Sequence, residues 1–200
     1  MIPTILLIGA IILPLLLAFR PFGADRYLRA RATISDTIKG FMKGIKLSAE
    51  TKISIVGGRC KNIDDDQYPW LTRLKEWLET GATIHYLLIE ATSESKEKLT
   101  KLSAEFPDKF QAFYIEDVSA IEDDETRRLA DESRTTHFTL FDKPMLIWLE
   151  GFHPDGSKEA YNCEFVDQKR AKRDSRYQGL EQLFARFCKE AEKQEHLVLS

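Results

Sequence analysis

Lys52-Ile53-Ser54-Ile55-Val56-Gly57-Gly58 and, further on, Thr83-Ile84-His85-Tyr86-Leu87-Leu88-Ile89 are the two stretches on which the fold turns. The first is a short β-prone run that stops at a glycine pair. The second is almost continuously apolar, as a strand buried on both faces should be. Between them Trp70, Leu71, Leu74, Trp77 and Leu78 recur at helical spacing, and Gly81 supplies a C-cap. A second helix follows from about Ser93 to Phe106, with Leu99, Leu102 and Phe106 inward and Pro107 ending it. Phe110 to Ile115 reads as a third strand. Strand–helix–strand–helix–strand at this short spacing predicts a parallel core with right-handed crossovers.

From Thr135 the order changes. Thr135 to Phe141, a turn at Asp142-Lys143-Pro144, Met145 to Phe152, a turn at Pro154-Asp155-Gly156-Ser157, and Ala160 to Val166 read as an antiparallel meander. A long helix from about Lys169 to Glu195 closes the chain, with Tyr177, Leu180, Leu183, Phe184, Phe187, Cys188 and Ala191 as its apolar stripe. The expected fold class is therefore α/β: a mixed parallel and antiparallel sheet flanked by helices. No repeat, low-complexity tract or Pro-rich linker interrupts the chain after the first 47 residues, so residues 48–200 read as one domain.

Outward toward the amino terminus, Ile2 to Phe19 is a run of 18 residues without a charged side chain. It matches the lower limit for crossing a hydrocarbon core of roughly 30 Å, so residues 2–19 read as one transmembrane helix, with Pro14 kinking it. The stretch lacks a basic n-region, and Leu17-Ala18-Phe19-Arg20 offers no small-x-small cleavage site, so it reads as a retained anchor. Arg20, Arg26, Arg29 and Arg31, opposed only by Asp25, place the C-terminal domain on the cytoplasmic side. Residues 20–47 read as a basic juxtamembrane segment and amphipathic helix, about Tyr27 to Ile45, with Ile34, Ile38, Phe41, Met42 and Ile45 at helical spacing. The expected location is a membrane, single-pass, with a cytoplasmic domain.

Composition excludes some functions. At 43% hydrophobic and 30% charged, the chain is neither disordered nor wholly embedded in a bilayer. A formal net charge of -3 excludes a globally basic nucleic-acid binder while leaving room for a local patch. Cys60, Cys163 and Cys188 are odd in number and form no CxxC pair, which argues for reduced thiols and against a zinc site. Nothing around Gly57-Gly58 matches a P-loop or GxGxxG, and the acidic runs Asp64-Asp65-Asp66 and Glu122-Asp123-Asp124-Glu125 lack EF-hand spacing and read as solvated loops. No metal and no cofactor are expected.

Lys52 to about Ala191 resembles a single phospholipase D-like domain. The opening strand with Gly57-Gly58, the helix that ends in a glycine before Ala82-Thr83-Ile84-His85-Tyr86-Leu87-Leu88, the hairpin around Asp142 and the long last helix carry the resemblance. It implies the fold of that family, and an anchor before one such domain resembles its single-motif, dimer-forming members, which implies a homodimer. The family's HxKx4D motif is degenerate here. Aligned on Asp142, Thr135 stands in the place of the nucleophilic His and His137 in the place of the phosphate-gripping Lys. The GSxN that usually follows gives way to Leu149-Glu150-Gly151-Phe152.

Several residues could still act. Alternation puts Thr135, His137 and Thr139 on one face of the sheet. With a tight turn at Lys143-Pro144, Asp142 pairs with Met145 and His137 faces Glu150. Such a pair is either a general base or phosphate binder, or a satisfied cross-strand polar pair. Arg134 adds phosphate affinity or is surface. Lys169, Arg170, Lys172, Arg173 and Arg176 form a basic cluster at the start of the last helix, interrupted by Asp174. It is an anion- or nucleic-acid-binding patch or a covered helix face. His85, inside an apolar strand, reads as a hydrogen-bonded core histidine. Three functions compete on these residues: a membrane-anchored module that has lost catalysis and binds a phosphate-bearing ligand, nucleic acid or protein partner; a divergent phosphodiesterase or nuclease using His137; and a structural subunit of a membrane complex.

Overall fold

The computed structural model describes residues 28–29, 47, 49–58, 70–134, 136–142, 145–150, 162–166, 173 and 175–199. In chain order the elements are β1 (Leu28–Arg29), β2 (Lys52–Gly57), α1 (Trp70–Glu79), β3 (Thr83–Ile89), α2 (Ser93–Glu105), β4 (Phe110–Ile115), a 3-10 turn (Val118–Ala120), α3 (Asp124–Glu132), β5 (Thr136–Phe141), β6 (Met145–Glu150), β7 (Asn162–Val166) and α4 (Ser175–Leu199). The strands make one seven-stranded sheet in the order β1-β7-β6-β5-β2-β3-β4. The β2–β3 and β3–β4 pairs are parallel, while β5 joins β2 antiparallel and leads into the antiparallel β6, β7 and β1.

The parallel strands are largely buried on one face along their length and on the other over their carboxyl halves, which explains why apolar residues dominate them. On one face Ile53, Ile55, Ile84, Tyr86, Leu88, Phe110 and Phe141 pack against Trp70, Leu74, Trp77 and Leu78 of α1 and Leu99 and Leu102 of α2. Trp77 stands edge-on to both Trp70 and Phe141, with ring centroids 5.8 and 5.7 Å apart. On the other face Val56, Leu87, Ile89, Ile115, Phe138 and Leu140 pack against Ala130 of α3 and the stripe of α4. The result is a three-layer α/β/α arrangement.

Local signals set the helix ends. Gly81, at φ 99°, takes the left-handed conformation that closes α1, its N–H donating to the Leu78 carbonyl at 3.0 Å. Thr92 caps α2 by accepting from the Ser95 N–H at 3.2 Å. Helix α3 occupies sequence that reads as a solvated acidic loop. Asp123 Oδ2 accepts from the Thr126 N–H at 2.7 Å, and Asp124 and Glu125 fill the first turn, where carboxylates oppose the helix dipole.

The amino-terminal expectations are overturned. Among the described residues no helix is long and apolar enough to cross a membrane, and the stretch Ile2 to Phe19 lies outside those residues. The longest described helix, α4, is amphipathic and spends its apolar stripe on the sheet. The transmembrane helix, the single-pass cytoplasmic placement, and the membrane and membrane-complex partners that depended on it are therefore withdrawn. The amphipathic helix from Tyr27 fails at its start, because Leu28–Arg29 is an edge strand paired antiparallel with Cys163 and Asn162. Backbone pairing with β7 there satisfies groups a helix would have turned inward. The rest of that helix lies outside the described residues, as does Asp64-Asp65-Asp66.

Candidate functional site

Strand β2 is the point where the chain changes direction across the sheet. From it the chain runs through β3 to β4 on one side, and returns through α3 to β5 on the other. In open α/β sheets such a switch leaves a crevice beyond the carboxyl ends of the strands, where ligands commonly sit. Here it is framed by Gly58 after β2, Glu90 after β3, and Arg134 and His137 around the start of β5.

His137 is committed to the scaffold. Its Nε2 accepts from the Gly58 N–H at 2.9 Å, across 79 residues of sequence. Burial pushes its pKa down to about 4, so the ring is neutral at pH 7. The close approach needs glycine: a Cβ at Gly58 would lie 2.5 Å from the Arg134 carbonyl oxygen and 3.1 Å from His137 Nε2. The Gly57-Gly58 pair that reads as a strand stop is thus also a contact surface for the far end of β5.

Arg134 holds two carboxylates at once, one nitrogen on Glu90 Oε1 and another 2.9 Å from Asp131 Oδ1. Its Nε is buried with no hydrogen-bond partner among the described residues. Glu90 has φ 52°, the left-handed region that non-glycine residues seldom occupy, and its N–H donates to the Ile115 carbonyl at 2.7 Å. Beside them Asp117 is held below the usual carboxylate range, chiefly by hydrogen bonds from Ser119. Gln194 of α4 ties down the segment after β4. Its Oε1 accepts from the N–H groups of Glu116 and Asp117 at 2.8 and 3.1 Å, and its Nε2 donates to the Asp117 carbonyl at 2.9 Å. Sequence reading misses Glu90 and Gln194. A carboxylate directly after a buried parallel strand is the available signal for the first; the second has none.

The pairing of His137 with Glu150 does not form. The register puts Phe141, not Asp142, opposite Met145, so His137 pairs with Leu149 and Glu150 pairs with Thr136. The connection is one residue longer than a tight turn, and a slip of one residue moves a strand position to the other face. Asp142 lies exposed at that turn, its N–H donating to the Lys52 carbonyl at 3.0 Å, at the end of β5 opposite the crevice. Thr135 lies outside the described residues. The catalytic constellation of Thr135, His137, Asp142 and Glu150 is not assembled among the described residues. His85 also departs from its reading as a core residue: it is exposed, stands edge-on to Phe113 at 5.9 Å, and has its pKa lowered by partial burial and by the charge of Lys52.

Within the basic cluster, α4 starts at Ser175 rather than at Lys169. Arg173 is exposed just before it, the backbone of Arg176 lies in its first turn, and Lys169, Arg170 and Lys172 lie outside the described residues. The thiol of Cys188, half-buried on α4, is pushed up to about 12 by burial, which makes it unreactive. No group of three or more metal-ligating side chains occurs among the described residues.

No protein-family model matches the chain, and no curated protein matches it. Its fold is similar to that of TrmBL2, an archaeal chromatin protein whose structure shows a novel mode of DNA binding. The TM-score is 0.50 at 9% identity, over 92% of this chain and 59% of that one. The chain thus spans well under two thirds of that protein's length, and the likeness is one of fold. The phospholipase D-like resemblance, and the homodimer drawn from it, are not upheld: the similar fold is that of TrmBL2, and among the described residues His137 and Asp142 lie toward opposite ends of β5.

Proposed function

We propose that this chain is a nucleic-acid-binding module that holds the phosphate backbone through Lys169, Arg170, Lys172, Arg173 and Arg176. The observation that carries the reading is the concentration of those cations, against Asp174 alone, in a chain of net charge -3, four of them just before α4 in sequence and Arg176 in its first turn, with Arg173 exposed there. Clustered guanidinium and ammonium groups replace the counterions of a phosphate backbone, and a helix amino end adds partial positive charge beside them. A DNA-binding protein of similar fold lends the reading context. The engagement of His137 Nε2 by the Gly58 N–H supports a structural rather than a hydrolytic role for that ring.

Fluorescence-anisotropy titration of labelled oligonucleotides with the full chain, across a salt series, tests this. Log affinity should fall linearly with log salt, and replacing all five cations by alanine should flatten the slope by about 0.7–0.9 for each phosphate no longer neutralised. An unchanged slope, or no binding by the intact chain, overturns the proposal. Phosphodiester turnover that disappears in His137→Ala would overturn its non-enzymatic half.

A further inference from the structure

Helix α4 crosses its face of the sheet obliquely. Near its start the Tyr177 hydroxyl donates to the Phe141 carbonyl, and Phe141 pairs with Ile53 at the amino end of β2. Near its finish Gln194 reaches Glu116 and Asp117, just past the carboxyl end of β4. The helix therefore covers the carboxyl half of β2, β3 and β4 on that face, where Val56, Leu87, Ile89 and Ile115 are buried. Among the described residues no element covers the amino half. On the same face Lys52, His85 and Gln111 are exposed, and Ser54, Thr83 and Phe113 are half-buried.

The open half is chemically unlike the covered one. Register places Ser54, His85 and Gln111 side by side across three strands, with Lys52 beside Thr83 in the row below. His85 packs edge-on against Phe113, rings 76° apart, which steadies an exposed aromatic ring on a rigid strand. Gln111 offers both donors and an acceptor, and Lys52 a cation. We propose that this open half-face of β2, β3 and β4 is a platform for single-stranded nucleic acid, with a base stacked on His85, its edge read by Gln111 and Ser54, and the strand's phosphates followed by Lys52.

This rests on the nucleic-acid reading above, and the fold joins the two surfaces. The basic run leads into α4 at Tyr177, beside Phe141, and the next residue, Asp142, bonds through its N–H to the Lys52 carbonyl. The start of α4, which the basic run precedes in sequence, thus lies at the amino end of the parallel strands. Unpaired bases splay onto exposed sheet surfaces of this kind and stack on their rings.

The test compares the full chain with His85→Ala and Gln111→Glu, both at exposed positions, using labelled oligothymidylate of about 16 nucleotides, the matching duplex, and an oligonucleotide carrying 2-aminopurine. Removal of one stacked base corresponds to a drop of about fivefold to about a hundredfold in single-strand affinity. That drop in His85→Ala, with 2-aminopurine quenching abolished and duplex affinity held, supports the platform, as does a selective single-strand weakening in Gln111→Glu. Unchanged single-strand affinity and quenching in both variants overturns the platform and leaves the basic-run reading standing. Equal weakening of single strand and duplex in Gln111→Glu, with His85→Ala silent, also overturns it. No binding of any oligonucleotide by the intact chain overturns both.

Discussion

Substituting alanine at two glycines should move stability in opposite directions. Gly179, exposed on α4, has open space where a Cβ would go. Gly179→Ala removes the entropic cost of glycine inside a helix and should stabilise the protein by about 0.5–1 kcal/mol. Gly58→Ala gains a similar entropic term of about 0.4–1 kcal/mol but meets backbone. Its Cβ would sit 2.5 Å from the Arg134 carbonyl oxygen, closer than atoms tolerate, and 3.2 Å from the carbonyl carbon, a tight contact. Opening that contact costs about 1–3 kcal/mol as overpacking. It also stretches the 2.9 Å bond from the Gly58 N–H to His137 Nε2, and leaving that acceptor unmet costs about 1–3 kcal/mol more. The net expectation is a destabilisation of about 3 kcal/mol. In urea unfolding this lowers the midpoint by about 1.5 M for a slope near 2 kcal/mol/M. In thermal unfolding it lowers Tm by about 6–12 °C. Equal or greater stability of Gly58→Ala than wild type would refute the close packing of β2 against the entry to β5, and with it the account of His137.

His137 should also mark the acid limb of stability. Its folded pKa of about 4 lies below the ordinary 6.5, so between those values the unfolded chain binds a proton the folded chain refuses. Stability then falls on acidification through that window, by up to about 3 kcal/mol, and the fall should be missing from His137→Gln; superimposable pH profiles would sink this. Gln194→Ala removes three hydrogen bonds to the Glu116–Asp117 segment and should cost about 1–3 kcal/mol. Hydrogen exchange should accelerate first at the amides of Glu116 and Asp117, and uniform acceleration would argue against the local tie. Asp123 is held below the usual carboxylate range, chiefly by the Thr126 side chain and N–H. The cap it makes stabilises α3 at neutral pH and weakens as pH falls through its folded pKa, so Asp123→Ala should lower Tm at pH 7 and converge on wild type in acid. A constant gap between the two would contradict the capping role.

Several elements are legible because they depend on local pattern. Strands β3 and β4 begin and end where Thr83, Ile89, Phe110 and Ile115 are expected to place them, since apolar and β-prone residues dominate each run between its bounds. The first helix begins at Trp70, as its periodicity requires. Helix α3 escapes pattern reading although its signal is present: an Asp cap, two carboxylates in the first turn, and Ala130 as the residue buried with Thr126. The helix is short and strongly charged, so the acidic run outweighs the cap. The apolar run Ile2 to Phe19, which suggests a spanning helix by hydropathy, lies outside the described residues, and no described helix is long and apolar enough to cross a membrane.

The sequence by itself determined the order of strands and helices in the parallel core and the apolar stripe that seats α4, because each follows from side-chain periodicity along one element. Only the tertiary structure decided the rest. The one-residue difference in the β5–β6 connection separated His137 from Glu150. A contact spanning 79 residues turned a candidate base into a buried acceptor for Gly58. The oblique course of α4 chose which half of the sheet stays open around His85. Register, contact between distant segments and helix crossing direction are set by the packing of whole surfaces, and no local stretch of residues encodes them.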